Sequence, residues 1–261
     1  MPVAPKDEKK PYYKIASLEK GLKIIELLSD NGSLSVSEVA KRLNQNRSAS
    51  HRFLATLKEL GYVIQDSNAR YKLSLKMFEL GNKISDVKAI RSISRPYMHE
   101  LVTKYHETVN LGHLEYTDVT TIETVSSKEA IKFDSVIGER SPAHTLAMGK
   151  AMMAYMSQEE KNRCLDNIKF LALTKKTITS RAKFEKELNI VHGQGYAIDD
   201  EEWAIGLRCV ATPIFNFEAH SDYAISISGP LQRMTSEKIH LICEDLKHIC
   251  QLISKKLQPA R

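Results

Sequence analysis

The chain has 261 residues, 42% of them hydrophobic, with 38 Lys and Arg against 32 Asp and Glu for a net charge of +6. That length suits about two domains, each large enough for its own core, and no apolar run approaches the ~18 residues of a bilayer-spanning helix. The start, MPVAPKDEKKP, is too polar for a signal segment, and Cys164, Cys209, Cys243 and Cys250 show neither C-x-x-C nor zinc-finger spacing. Together these features imply a soluble cytoplasmic protein with reduced thiols, no membrane association and no metal framework.

The charge is unevenly placed. Residues 1–81 hold 14 Lys and Arg against 9 Asp and Glu, a balance of +5, whereas residues 82–261 hold 24 against 23. An excess of cations confined to one domain suits a partner rich in phosphate.

Taken in order, residues 1–13 read as a disordered arm. Ser17 can cap a helix whose Leu18, Leu22, Ile25 and Leu28 face inward, and Asp30-Asn31-Gly32 stops it. Ser35 followed by Glu38 is a capping box opening VSEVAKRL, with Val36, Val39, Ala40 and Leu43 buried. A four-residue break, Asn44 to Arg47, leads to the helix NRSASHRFLATLKEL, whose apolar stripe is Phe53, Leu54, Leu57 and Leu60. Its first turn has no large apolar anchor: Arg47, Ser48, Ala49, Ser50, His51 and Arg52 are short hydrogen-bonding groups, a small residue and cations, suited to base edges and phosphates. Gly61 ends that helix, and Val63 to Gln65 and Arg70 to Leu73 read as two strands around the turn Asp66 to Ala69, with Arg70 a further candidate DNA contact. Residues 14–77 thus form a winged helix-turn-helix, although a three-helix subdomain with a solvated charged face has the same pattern.

Met77, Leu80, Ile84, Val87 and Ile90 make a thin stripe, so residues 78–93 are expected to be a linker helix that pairs across a two-fold axis or lies on its own domain. Pro96 sits badly inside a helix, and a new element is expected to begin there and open a domain over 94–261. TVNLGHLE and VTTIETV alternate as strands, with Asp118 near the turn. Helices follow at 145–155, 157–166 and 181–193, strands at 207–215 and 222–228, and a last helix carries Ile239, Ile242, Leu246, Ile249 and Ile253. This order describes an α+β domain with a mainly antiparallel sheet.

In DYAISISG, Ile225 and Ile227 share one face and Ala224, Ser226 and Ser228 the other; Cys209 and Ala211 share a face in LRCVATPIF. Small polar residues there suit a pocket floor, a solvated face or a tight helix contact. Gly149-Lys150 is no phosphate loop, because His144 stands where the upstream glycine belongs and Ala151 replaces Ser or Thr. Ala147, Gly149 and Ala151 instead allow close backbone approach. The alternative to a binding protein is an enzyme using Cys209 as nucleophile with His144 and Asp199, and a metal set of His113, His144, Asp199 and Cys209 lacks diagnostic spacing.

From Lys14 to about Leu257 the sequence resembles the IclR family of bacterial transcription regulators. The resemblance lies in SASHRFLATLKELGYV, YKLSLKMFELG, GERSPAHTLAMGKAMMAYM and GYAIDDEEWAIGLRCVATPIFN. It departs where Asn44 and Asn46 replace the family's frequent glycine and proline, which asparagine's tolerance of αL and its capping ability accommodate. The resemblance implies a winged-helix reader of double-stranded operator DNA joined by a helix to a GAF-like effector domain, acting as repressor or activator. It implies a homodimer or dimer of dimers and a small-molecule effector, polar, carboxylate or aromatic. Asp199, Cys209, Ser226 and Ser228 match its polar ligand-contacting positions, with Ala147 and Met148 opposite, and neither a cofactor nor a catalytic residue is implied.

Overall fold

The computed structural model describes residues 14–216 and 220–257, so the expected arm at 1–13 lies outside the described residues. The chain divides into two compact units, one ending at Ser85 and the other beginning at Asp86.

The first unit runs α1 (Ala16–Asn31), α2 (Val36–Arg42), α3 (Arg47–Glu59), β1 (Val63–Gln65), β2 (Tyr71–Leu73) and α4 (Lys76–Gly81). Ile15, not Ser17, occupies the N-cap of α1 and makes no side-chain cap bond. The buried stripe of α1 is also rotated from expectation: Ile24 and Leu28 enter the core, whereas Leu18 and Leu22 are exposed. Gly32 takes φ +71°, which turns the chain out of α1. The Ser35–Glu38 capping box forms as expected. Asn44 adopts φ +49° in the turn, and the Asn46 side chain caps α3 by accepting from the Ala49 N–H at 2.6 Å. Strands β1 and β2 pair antiparallel, Val63 opposite Leu73, and form the wing. Val63 and Tyr71 drop into the core with Ile24, Leu28, Leu34, Val39, Leu54 and Leu57.

The second unit runs α5 (Ser85–Tyr105), β3 (Thr108–Glu115), β4 (Asp118–Val125), β5 (Arg140–Pro142), a 3-10 turn (Ala143–Thr145), α6 (Ala147–Met153), α7 (Gln158–Asn167), α8 (Arg181–Gln194), β6 (Ala197–Asp200), β7 (Leu207–Ile214), β8 (Tyr223–Pro230) and α9 (Ser236–Leu257). All sheet pairs are antiparallel, in the order β5-β4-β3-β8-β7-β6. One face packs Val109, Leu111, Val210, Ile225 and Ile227 against α5 and α9. The other carries Cys209, Ala211 and Ala224 beneath α6 and α8. Each aliphatic side chain fully buried between these layers contributes about 1.5–3 kcal/mol.

Two boundaries differ from the sequence expectation. Pro96 lies inside α5. Ile90, Ser94, Met98, Leu101 and Tyr105 are all buried at spacings of three and four, so one continuous stripe anchors the helix on both sides of the proline, outweighing its missing donor. The expected linker over 78–93 is accordingly two pieces: α4 ends at Gly81, and α5 joins the second unit's core through Ile90, with Val87 packed against it. Leu80 and Ile84 stay exposed. A charge at Val87 should therefore damage the fold, whereas Leu80→Asp and Ile84→Asp should keep the native far-UV spectrum and, if the two residues pair across a two-fold axis, lower the sedimentation coefficient to that of a monomer. Unchanged sedimentation of that double variant would remove both residues from the seam, and Val87→Asp should cost about 1–3 kcal/mol in denaturant unfolding.

Candidate functional site

Two arrangements, one in each unit, are suited to recognition. In the first unit, α3 buries Ser50, Leu54 and Leu57 at i, i+4 and i+7. Arg47, Ser48, His51 and Arg52 therefore point the other way, all exposed, and their side chains make no hydrogen bond or ion pair with the described residues. Ala55 completes this outward face. A helix whose first turn is polar, cationic and unengaged is suited to a major groove.

Two expected members of the interface lie elsewhere. Ser50 is fully buried and its hydroxyl has no partner, because it shares the inward stripe with Leu54. Arg70 is held within the domain: its guanidinium donates to Ser33 O at 2.8 Å and pairs with Glu38 at 3.0 Å, tying the wing to the start of α2. The Ser35 capping bonds foremost, and then Arg70, hold the Glu38 carboxyl down at about 2. Ala49 contributes its backbone N–H to the Asn46 cap.

In the second unit, sheet register places the other expected residues in two rows. Asp199 stands opposite Cys209 and Cys209 opposite Ser228; Ala197, Ala211, Ser226 and Asn110 form the adjacent row. Ala147 and Met148 cover these rows from the start of α6. The 3-10 turn folds back onto α6 because Gly149 lies against the Ala143 carbonyl, where a Cβ would come within 2.1 Å, and α6 approaches β3 because Gly112 leaves room for the Met148 sulfur. The result is a cavity of about 90 Å³ lined by Ala147, Met148, Cys209, Ser226 and Ser228 among others. Asn110, Thr121, Phe133 and Trp203 also line it and were not singled out from sequence. The signals for two of them were nevertheless present: Asn110 is a polar residue at the centre of a buried strand, on the face that alternates with Val109 and Leu111, and Trp203 is the chain's single tryptophan.

Asp199 lies behind Cys209, outside the lining. Its Oδ1 accepts the N–H groups of Glu202 at 2.7 Å and Trp203 at 3.3 Å, fixing the loop that brings Trp203 to the cavity, while its buried Oδ2 has no partner. Burial foremost, with the Glu202 carboxylate adding to it against Lys150, pushes the Asp199 carboxyl up to about 7. Lys150 is itself completely buried, paired with Glu202 and 3.5 Å from Glu187, and it donates to Ile198 O.

His144, Asp199 and Cys209 make no hydrogen-bonded triad: His144 Nε2 is directed to Leu171 O. Burial, and then the Asp199 charge, drive the Cys209 thiol well above its usual range, which disfavours the thiolate a nucleophile needs. His144 contacts Leu171 O through Nε2 and packs edge-on to Phe170 and Phe184, while His113 stacks on Tyr223. Among the described residues no three of His, Cys, Asp and Glu are grouped to hold a metal, and none of the helices is long and apolar enough to cross a membrane.

A reading helix in one unit and an enclosed polar cavity in the other are the two parts of a ligand-responsive DNA-binding transcription regulator. Residues 17–67 match the IclR helix-turn-helix domain and residues 83–255 the bacterial transcriptional regulator IclR C-terminal domain, and the chain belongs to the IclR family. It is 35% identical over 228 residues to the HTH-type transcriptional regulator KdgR of Dickeya chrysanthemi, covering 87% of this chain and 74% of that protein. It is 31% identical over 229 residues to the transcriptional repressor IclR of Escherichia coli, covering 86% and 84%. Among solved structures, the Thermotoga maritima IclR superposes with a TM-score of 0.77 at 30% identity, over 92% of this chain and 98% of that one. An IclR homologue from Microbacterium hydrocarbonoxydans, complexed with 4-hydroxybenzoate, shares the fold with a TM-score of 0.81 at 20% identity, over 93% and 99%.

The raised Asp199 carboxyl makes stability depend on pH in a definite direction. Unfolded, the group titrates near 3.9, so between about pH 4 and 7 the native state holds a proton that the unfolded state has lost. Its contribution is full below pH 4 and falls away as pH rises through about 7. Asp199→Asn should flatten the fall in melting temperature between pH 5 and 7.5, making the variant's advantage over wild type grow with pH; parallel curves would show that Asp199 is ionised throughout.

Proposed function

We propose that this protein is a cytoplasmic, homodimeric transcription repressor. Arg47, Ser48 and His51 read base edges from α3, Arg52 holds a phosphate, and a small metabolite bound over Cys209, Ser226 and Ser228 changes the DNA affinity. The observation that carries the proposal is the pairing, within one chain, of an unengaged polar face on α3 with an enclosed polar cavity bounded by Trp203. Two reading heads related by a two-fold axis would demand a palindromic or near-palindromic operator. The repressor assignment is supported by similarity to relatives that carry that name.

The effector is expected to be small and polar at one end. The cavity is lined by Asn110, Thr121, Ser226 and Ser228 hydroxyl and amide groups with Phe133 and Trp203, by the carboxylates of Asp134 and Glu139, and by no Lys or Arg. A ligand carboxylate is therefore expected at the sheet, against the neutral donors of Asn110, Ser226 and Ser228, with Asp134 held by Lys132 at 3.1 Å; a homologue of the same fold is complexed with an aromatic acid. At about 90 Å³, the cavity holds only a few atoms until the loop 126–139 above it shifts.

Two measurements test this. On an operator selected from a random duplex library, Arg47→Ala should cost about 1–3 kcal/mol at one base pair, whereas Arg52→Ala should weaken all sequences alike and flatten the salt dependence. Ser50→Ala should leave affinity intact and stabilise the first unit by up to about 1 kcal/mol, because it removes an unpaired buried hydroxyl. Equal losses on scrambled duplexes for every α3 variant would defeat the base-reading assignment. Separately, a panel of small carboxylates, including aromatic acids, should change Trp203 fluorescence in wild type but not in Ser226→Leu. The same ligand should bind with altered affinity when operator is present, since coupling is reciprocal. A response that survives Ser226→Leu would move the effector elsewhere.

A further inference from the structure

The second unit holds another cavity, of about 690 Å³, that shares no lining residue with the first. It opens between the β3–β4 turn, the junction of α6 and α7, one face of α7 and the approach to β8. Its volume lies within the range of small-molecule sites. Leu114, Tyr155 and Met156 supply apolar walls. The Ser221 hydroxyl lines the cavity with the residue only 6% exposed, and it has no hydrogen-bond partner among the described residues. A buried hydroxyl in that condition is costly unless something supplies the missing bond.

The charges at the rim are divided between walls. Arg163 stands on α7 and its guanidinium makes no hydrogen bond or ion pair with the described residues. Glu160, one turn earlier, is already engaged: its carboxylate accepts from the Ser157 hydroxyl at 2.6 Å and the Ser157 N–H at 3.2 Å in the α7 capping box. Asp222 stands exposed on another element, beside Ser221 at the approach to β8.

We infer that this cavity is a second small-molecule site, separate from the effector pocket, for a zwitterion with an apolar body, that is, a free amino acid. Arg163 receives the carboxylate, Asp222 the ammonium, and Ser221 gains the hydrogen bond it lacks. The side chain of the ligand lies against Leu114 and Met156. Neither charge alone satisfies both walls, which sets this site apart from the first pocket, whose lining has no cation.

Cys164 supplies a local reporter. It lines this cavity and is the one partly exposed cysteine, whereas Cys209, Cys243 and Cys250 are buried, so alkylation by N-ethylmaleimide followed by peptide mass mapping reads occupancy here alone. L-phenylalanine at about 10 mM should slow Cys164 alkylation about fivefold in the full-length protein, as occupancy at several times Kd requires. 3-Phenylpropanoate and 2-phenylethylamine, each carrying one of the two charges, should protect much less. Arg163→Ala and Asp222→Asn should each abolish protection by L-phenylalanine at unchanged melting temperature, and Ser221→Ala should reduce it. Ser226→Leu, which blocks the first pocket, should leave it intact. Absence of protection in wild type, or protection that persists in both charge variants, overturns the inference. A Trp203 response to L-phenylalanine without Cys164 protection overturns it too, while leaving the effector pocket standing.

Discussion

The buried ammonium of Lys150 is the constraint on which the second unit is assembled. A charge taken out of water costs several kcal/mol unless it is paired and hydrogen-bonded, and Lys150 meets that requirement by drawing on three other elements. It leaves α6, reaches the Ile198 carbonyl on β6, pairs with Glu202 in the loop before β7, and lies near Glu187 on α8. The helix that roofs the polar cavity and the loop that carries Trp203 to it are thereby fixed to one atom. Beside this cation stand two buried carboxylates, Glu202 and Asp199. Burial foremost, and then a neighbouring carboxylate, raise both against the pull of Lys150.

A second buried charge does comparable work at the other end of the pocket. Glu107, at the entrance to β3, is fully buried and accepts from Arg233 at 2.6 and 2.8 Å and from Lys238 at 2.9 Å. Gly229 on β8 makes the space, since a Cβ there would meet the Glu107 carboxylate at 2.6 Å. Arg233 also donates to Ile131 O at 2.9 Å, holding down the loop over the cavity, and Thr108 fastens the same loop through Asp134 at 3.0 Å.

Local rules were legible in the sequence where local chemistry decides the structure. The Ser35–Glu38 box, the Asn46 cap, the wing strands and the alternation of β3, β4, β7 and β8 all depend on near neighbours, and all formed where expected. Strands β5 and β6 were not seen, because three or four residues give too little alternation and β6 contains two aspartates. Pro96 was taken as a boundary because its local cost is plain, whereas the burial on both sides that outweighs it is tertiary. Ser50, Arg70 and Asp199 failed in a common way: a polar residue type suggests contact with a partner, and each instead serves or faces the interior of its own unit. Period-two alternation put Ser226 and Ser228 on one face of their strand and Cys209 on a face of another; the family resemblance grouped the three, and the register of β7 with β8 sets Cys209 opposite Ser228. The aromatic wall formed by Phe133 and Trp203 comes from loops, which have no period to read.

The anchoring of that wall bears on how an effector would act. A cavity of about 90 Å³ cannot admit a metabolite of ordinary size without displacing the loop above it. The loop's attachment to Arg233 is shared with Glu107, so moving it disturbs the hydrogen bonds of a carboxylate that has no access to water. Glu107 lies at the end of α5, and Lys238 lies in the first turn of α9; these are the two helices that cover the opposite face of the sheet. The Glu107 cluster thus joins the loop over the polar cavity to the helical layer on the far face of the sheet through hydrogen bonds rather than through the densely packed aliphatic core. Under the proposed function, regulation requires that the ligand favour one arrangement of the protein over another, and this cluster is a place where the two layers of the second unit are joined.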